Sequence, residues 1–120
     1  MRIISGLHKG RKIQTPKNLP VRPTTDKAKE GLFNILNNKF NISETIVLEI
    51  FAGTGNISYE FASRGSKNIT SIDINKKCIN FIKSISNEFS FNIKTIKMDA
   101  FKFIKSCDQN FDIIFADPPY

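Results

Sequence analysis

The sequence predicts an α/β fold, a parallel sheet with helices on both faces, and two observations predict it. From Thr45 onward, four short apolar runs alternate with stretches of helical periodicity. That alternation requires crossover connections, which are right-handed and build a parallel sheet. The first run, Ile46-Val47-Leu48-Glu49-Ile50, is also nearly continuous in apolar residues, as a strand covered on both faces must be, and it breaks almost at once at Gly53-Thr54-Gly55.

Taken in order, residues 2–5 and 9–15 read as two short strands around 6–8, a small basic β-hairpin. Prolines at 16, 20 and 23 mark an extended connector. The side-chain oxygens of Thr24, Thr25 and Asp26 can accept from the free amides of a first helical turn. Ala28, Leu32, Ile35 and Leu36 follow at helical spacing, which predicts an amphipathic helix over 26–38. Beyond the first strand, a helix is expected over 56–64 and a second strand over 68–73. Asn75 then caps a helix carrying Ile79, Ile82, Ile85 and Phe89. A third strand at 93–98, a short helix around 101–105 and a fourth strand at 111–116 complete the pattern. The chain divides into a basic hairpin and connector over 1–25 and an α/β domain over 26–120.

A length of 120 residues suits one domain, and 40% hydrophobic with 24% charged residues is an ordinary globular composition. No apolar run approaches the ~20 residues that span a bilayer, and the N-terminus lacks the layout of a signal peptide. A cytoplasmic monomer is therefore the expectation. Cys78 and Cys107 stand apart without Cys-x-x-Cys spacing, and His8 is the one histidine, so neither a disulfide framework nor a metal site is expected. The net charge of +7 is informative because of its placement. Residues 1–29 hold Arg2, Lys9, Arg11, Lys12, Lys17, Arg22, Lys27 and Lys29 against Asp26 alone, whereas from Glu30 onward ten basic and ten acidic residues cancel. A local surplus beside a balanced domain is the footprint of a phosphate-bearing partner. The plainer alternative is a solubilising arm.

Four features fall at strand carboxyl ends, where ligands of such sheets bind. In Glu49-Ile50-Phe51-Ala52-Gly53-Thr54-Gly55 the glycines permit a tight turn and close backbone approach. The third glycine of a dinucleotide site is replaced by Ser58, and no Gly-Lys-Ser/Thr phosphate loop exists. An acidic residue four positions before a Gly-x-Gly pair remains, the pattern of S-adenosylmethionine sites, whose ligand carries an amino group and a sulfonium that a carboxylate suits. Asp73, 18 residues beyond Gly55, can accept both ribose hydroxyls of a nucleoside; its alternative is a surface Asp ending a strand. Asp99-Ala100 can read an adenine's edge, although Asp is also a common N-cap. Asp117-Pro118-Pro119-Tyr120 is the strongest signal. Consecutive prolines fix the backbone and remove two amide donors, leaving acceptors toward the crevice. The Asp117 carboxylate and Pro118 carbonyl can hold the two N–H bonds of a base's amino group and turn its lone pair toward an incoming methyl. Tyr120 offers a stacking face. The plain alternative is a proline-rich turn with an exposed tyrosine.

With these residues in view, the chain resembles the bacterial family of 16S rRNA guanine-N2 methyltransferases. Arg2-Ile3-Ile4-Ser5-Gly6, Lys9-Gly10-Arg11-Lys12, Arg22-Pro23-Thr24-Thr25-Asp26 and Glu30-x-Leu32-Phe33-Asn34-Ile35-Leu36 carry the family-specific part, and the glycine loop and Asp-Pro-Pro-Tyr the shared part. The resemblance implies a Rossmann-like methyltransferase fold, S-adenosyl-L-methionine as cofactor and 16S rRNA of the small ribosomal subunit or its precursor as partner. It assigns the cofactor to Glu49, Phe51, Ala52, Gly53, Gly55, Asp73, Ile74, Asp99 and Ala100. It assigns the base to Asp117, Pro118, Pro119 and Tyr120, and RNA to Arg2, Lys9, Arg11, Lys12, Arg22, Thr24 and Thr25. Position 49 is Glu where the family usually has Asp. The family fold continues past the fourth strand, so a chain ending at Tyr120 is expected to lack C-terminal strands. Other readings are N6-adenine methylation of DNA or RNA, glutamine methylation of a protein (such enzymes carry Asn where Asp117 stands), and a non-catalytic RNA-binding module.

Overall fold

The computed structural model describes residues 1–118 of the chain. The Thr25 hydroxyl opens the first helix by accepting from the Ala28 amide at 3.2 Å, and α1 runs Asp26–Lys39. A single 3₁₀ turn, Ile42–Glu44, then leads into β1 (Ile46–Ile50); no pattern in the sequence announced it. The order continues α2 (Asn56–Ser63), β2 (Asn68–Asp73), α3 (Lys76–Phe89), β3 (Ile93–Lys97), α4 (Ala100–Ser106) and β4 (Ile113–Ala116). The Asn75 carboxamide caps α3 through the Lys77 and Cys78 amides, and Asp99 caps α4 through Lys102 N at 3.1 Å.

All pairings within the four-stranded sheet are parallel and the strand order is β3-β2-β1-β4. The chain therefore steps outward from β1 through β2 to β3, then returns to the other side of β1 for β4. The reversal lies between β1 and β4, where the register sets Ile50 beside Ala116. Alternation along β1 sends Val47 toward Phe33, Ile57, Phe61 and Ile69, and Leu48 with Ile50 toward Ile72, Ala100 and Phe103. Helices α1 and α2 cover the first face and α4 the second, as the predicted α/β architecture requires. On β4, Ile114 is left 59% exposed.

The N-terminal segment differs from a regular hairpin. Its antiparallel pairing is one bridge, Arg2 with Lys12, flanked by Ile3 N to Arg11 O and Ile13 N to Met1 O at 2.9 Å each; beyond it the Ile4 and Ser5 amides donate to the Glu60 carboxylate at 2.9 and 3.0 Å. Gly6 turns the chain at φ 89°, packed so closely on α2 that a Cβ would fall into the Ser63 carbonyl. Ile3 and Ile13 bury themselves among Tyr59, Ile82, Ile85 and Phe89. Helix α2 is consequently covered from two sides, by the sheet and by the N-terminal segment, and is buried at nearly every residue.

That burial includes charge. Lys29 and Glu60 are both 0% exposed. The Lys29 ammonium donates to Arg2 O at 2.6 Å and Asn56 Oδ1 at 2.8 Å, and lies 3.3 Å from Glu60 Oε1. Arg64 closes the group at 2.7 Å from Glu60 Oε2, its guanidinium stacked over the Phe33 ring. Burial pulls the Lys29 ammonium below its ordinary value, and the Glu60 carboxylate opposes that shift. Buried ions without such partners would be untenable.

Candidate functional site

The strand ends converge on one cavity of about 660 Å³, open at the β1/β4 reversal. Its walls include Glu49 in β1 with Phe51, Ala52 and Gly53 after it, Asp73 at the end of β2 with Ile74, Met98, Asp99 and Ala100 after β3, and Asp117 with Pro118 after β4. The connector closes another side with Pro20, Val21, Arg22 and Thr24. Pro119 and Tyr120, the remaining residues expected to meet a base, lie outside the described residues.

Glu49 sits at the base of this cavity. By strand alternation it shares the α2 side with Val47, and one carboxylate oxygen accepts from Ser58 N at 3.1 Å and Ser58 Oγ at 2.7 Å. Ser58 Oγ lies in turn 2.6 Å from Ser71 Oγ on β2. Burial pushes the Glu49 carboxyl up to about 8, the Ser58 hydrogen bonds opposing and the neighbouring Asp73 and Asp117 charges adding to the rise. The lone acidic residue of an apolar strand marked the position; its partner Ser58 stood where a dinucleotide loop would have glycine, and read as a mere absence.

The loop after β1 is held in sharp turns. Phe51 adopts φ 58°, a conformation that costs a non-glycine residue about 1 kcal/mol or more, while facing the cavity. Asp73 fixes the loop by accepting from Gly53 N at 2.9 Å with one oxygen and from Asn75 N at 2.8 Å with the other. Its lone pairs not so used remain available on the cavity wall. Gly55 is a different case from Gly53. It does not line the cavity but starts α2 at φ 80°, where an added Cβ would stand 2.7 Å from the Tyr59 ring and 2.9 Å from Ile82.

The predicted RNA residues separate. Arg22 and Thr24 stand on the cavity wall, whereas Thr25 is the α1 cap. Arg2 and Lys9 border a second depression elsewhere, Arg11 stacks over Phe89 with its guanidinium carbon 4.5 Å from the ring centroid, and Lys12 is exposed. Sequence reasoning missed Asn56, which is 3% exposed and carries the connector: its amide donates to Thr24 O at 2.8 Å while its oxygen takes the Lys29 ammonium. A polar residue directly after the glycine pair was the one available signal. Among the described residues no group of His, Cys, Asp and Glu could hold a metal ion, and no helix is long and apolar enough to cross a membrane.

A largely apolar cavity with carboxylates at the ends of β1, β2 and β3 suits a nucleoside bearing hydroxyls and positive charge. The comparisons with known proteins agree with this geometry. The chain is 36% identical, over 121 residues, to the ribosomal RNA small subunit methyltransferase D of Buchnera aphidicola subsp. Baizongia pistaciae, and 33% identical, over 132 residues, to that of Haemophilus influenzae. Each alignment covers 100% of this chain, which spans 61% and 64% of those relatives. A solved structure of a hypothetical protein from Thermus thermophilus shares the fold at a TM-score of 0.89 with 21% identity, covering 100% of this chain and 70% of its own. The family model described as Conserved hypothetical protein 95 matches residues 1–120, and the chain belongs to that family.

Proposed function

We propose that the chain forms the cofactor-binding and base-orienting part of an S-adenosylmethionine-dependent methyltransferase acting on the exocyclic N2 amino group of a guanine in 16S rRNA. The observation that carries this reading is the meeting of Glu49, Asp73, Asp99 and Asp117, one from each strand end, on a single cavity. The relatives named as small-subunit rRNA methyltransferases support the choice of substrate.

When bound, S-adenosylmethionine supplies a methyl group on a sulfonium. The chain's own residues do the rest. Asp73 and Asp99 would hold hydroxyl and amino groups of the nucleoside, Glu49 the positively charged end, and Phe51, Ile74, Met98 and Ala100 the apolar ring surface. A guanine amino group is a poor nucleophile because its lone pair is delocalised into the ring. The Asp117 carboxylate and the Pro118 carbonyl would accept its two N–H bonds and aim the lone pair inward. Orientation of the amino group and exclusion of water carry most of the rate. Arg22 and Thr24 at the mouth would meet the RNA backbone.

The test is transfer of labelled methyl from S-adenosylmethionine into unmodified small subunits, followed by digestion to nucleosides. Label in N2-methylguanosine is the expected result. Label in N6-methyladenosine would replace the substrate assignment, and a chain that fails to bind S-adenosylmethionine would remove the cofactor assignment.

A further inference from the structure

The chain has a second depression, about 400 Å³, that the site above does not use. One bank is the N-terminal segment, with Arg2 through Ser5 and Lys9-Gly10; the other is α1, with Glu30, Asn34 and Asn37; Arg64 lies at its base. The two banks differ in chemistry. Spacings of four and three residues put Glu30, Asn34 and Asn37 on one helical stripe, and all three are exposed. A carboxylate and two carboxamides in a row offer both donors and acceptors, the complement of a base edge rather than of a phosphate. The opposite bank carries the cations. Arg64 is committed to Glu60, and Arg2 is only loosely held, 3.9 Å from Asp26 and 50% exposed; Lys9 is exposed.

The cleft is also built to stay open. Its N-terminal bank is fixed by the Ile4 and Ser5 amides on Glu60, by Arg2 O on Lys29 and by Arg2 N on Asp26 Oδ1 at 3.0 Å. A ligand would not have to order it, which spares the entropy of closing a loop.

Building on the reading of the chain as an RNA methyltransferase, we propose that this cleft is a second RNA-contact site that takes one unpaired nucleotide of the substrate, its phosphate on Arg2 and Lys9 and its base edge on Asn34, Asn37 and Glu30. Single-stranded and bulged nucleotides are the ones whose edges proteins can reach in RNA, since the major groove of an A-form helix is too narrow. The carboxylate on the α1 bank repels phosphate and so fixes which way round the nucleotide lies. The cleft would then set which segment of RNA delivers a base to the cavity at the strand ends.

The experiment compares the parent chain with N34A/N37A, K9A and R22A, using fluorescence anisotropy against deproteinised small-subunit rRNA fragments and, in parallel, S-adenosylmethionine binding and thermal unfolding. All four positions are partly or fully exposed, so folding should be retained. N34A/N37A is expected to weaken RNA about tenfold with the salt dependence unchanged, as loss of base-edge contacts should. K9A is expected to lower the salt slope by roughly one contact's worth instead. Both should leave S-adenosylmethionine binding as in the parent. If R22A weakens RNA binding while N34A/N37A does not, the cleft is overturned and the methyltransferase reading stands. If the parent binds S-adenosylmethionine but no RNA, the RNA reading and the cleft fall together.

Discussion

Asp117 and Glu49 are both carboxylates on one cavity, yet their surroundings give them opposite work. Asp117 is exposed beyond β4, whereas Glu49 is 3% exposed beneath the loop. Replacing Asp117 with Ala should lower methyl transfer at least about a hundredfold, because orientation of the amino group is lost. S-adenosylmethionine affinity, read by calorimetry, should stay within about threefold; near-parental activity would remove Asp117 from the reaction. For Glu49, burial raises the carboxyl to about 8. The folded chain therefore retains a proton that the unfolded chain releases near pH ~4.3, so this contribution to stability is complete below that pH and is lost as pH rises toward 8. Glu49→Gln should flatten the fall in Tm between pH 5 and 8. A cationic ligand favours the ionised carboxylate, so S-adenosylmethionine should bind the parent more tightly at pH 8.5 than at pH 6.5. That dependence should vanish in Glu49→Gln; its persistence would assign the proton to another group. The acidic residue within an apolar strand was legible in the sequence. That burial would hold it neutral against the hydrogen bonds from Ser58 was not, because the residues that cover it come from other elements.

The elements themselves were legible where periodicity is strong. Four strands and four helices stand within two residues of the predicted bounds, since Val47, Leu48, Ile69 and Ile72 leave a parallel strand no other place to lie. The N-terminal segment read as two strands; Ile3 and Ile13 do turn inward and their amides pair across to Arg11 O and Met1 O, but past Ile3 the Ile4 and Ser5 amides go to Glu60. Lys29 counts with the basic surplus of residues 1–29 and Glu60 draws no reading; only the third element packed against them makes them interior. That arrangement sets the next outcome. Glu60→Ala leaves Lys29 buried beside Asn56 and Arg2 O alone and strands two amides, so it should cost about 3–5 kcal/mol in urea unfolding. Glu60→Gln, which keeps both acceptance and shape on one side, should cost less. Equal, small losses for both would mean that the N-terminal segment is held by its apolar contacts with Tyr59 and Ile85 instead. Gly55→Ala tests the junction between loop and α2: φ 80° and the Tyr59 ring leave no room for a methyl, so destabilisation by at least about 1 kcal/mol is expected.

At the scale of the whole molecule, charge is distributed by segment rather than by composition. The net +7 resides in residues 1–29, and the structure ties that segment down rather than leaving it as a loose arm. A tethered solubilising tail and a docked RNA-binding face predict different behaviour in salt. If phosphates meet the docked cations, the logarithm of RNA affinity should fall linearly with the logarithm of salt concentration, with a slope of roughly 0.7 to 0.9 per contact. Neutralising Lys9, Lys12 and Arg22 together should then reduce that slope by about two to three. Neutralising Lys76, Lys77 and Lys83 on α3 changes the net charge equally while leaving the N-terminal segment intact, so it should move affinity little. Equal effects of the two triple variants would show that only total charge matters, through the long-range field that any +7 protein exerts. The hydrogen bonds that Lys29 donates and Glu60 accepts make the first outcome the expected one, because cations on a fixed backbone give up less freedom on meeting a phosphate than cations on a free arm.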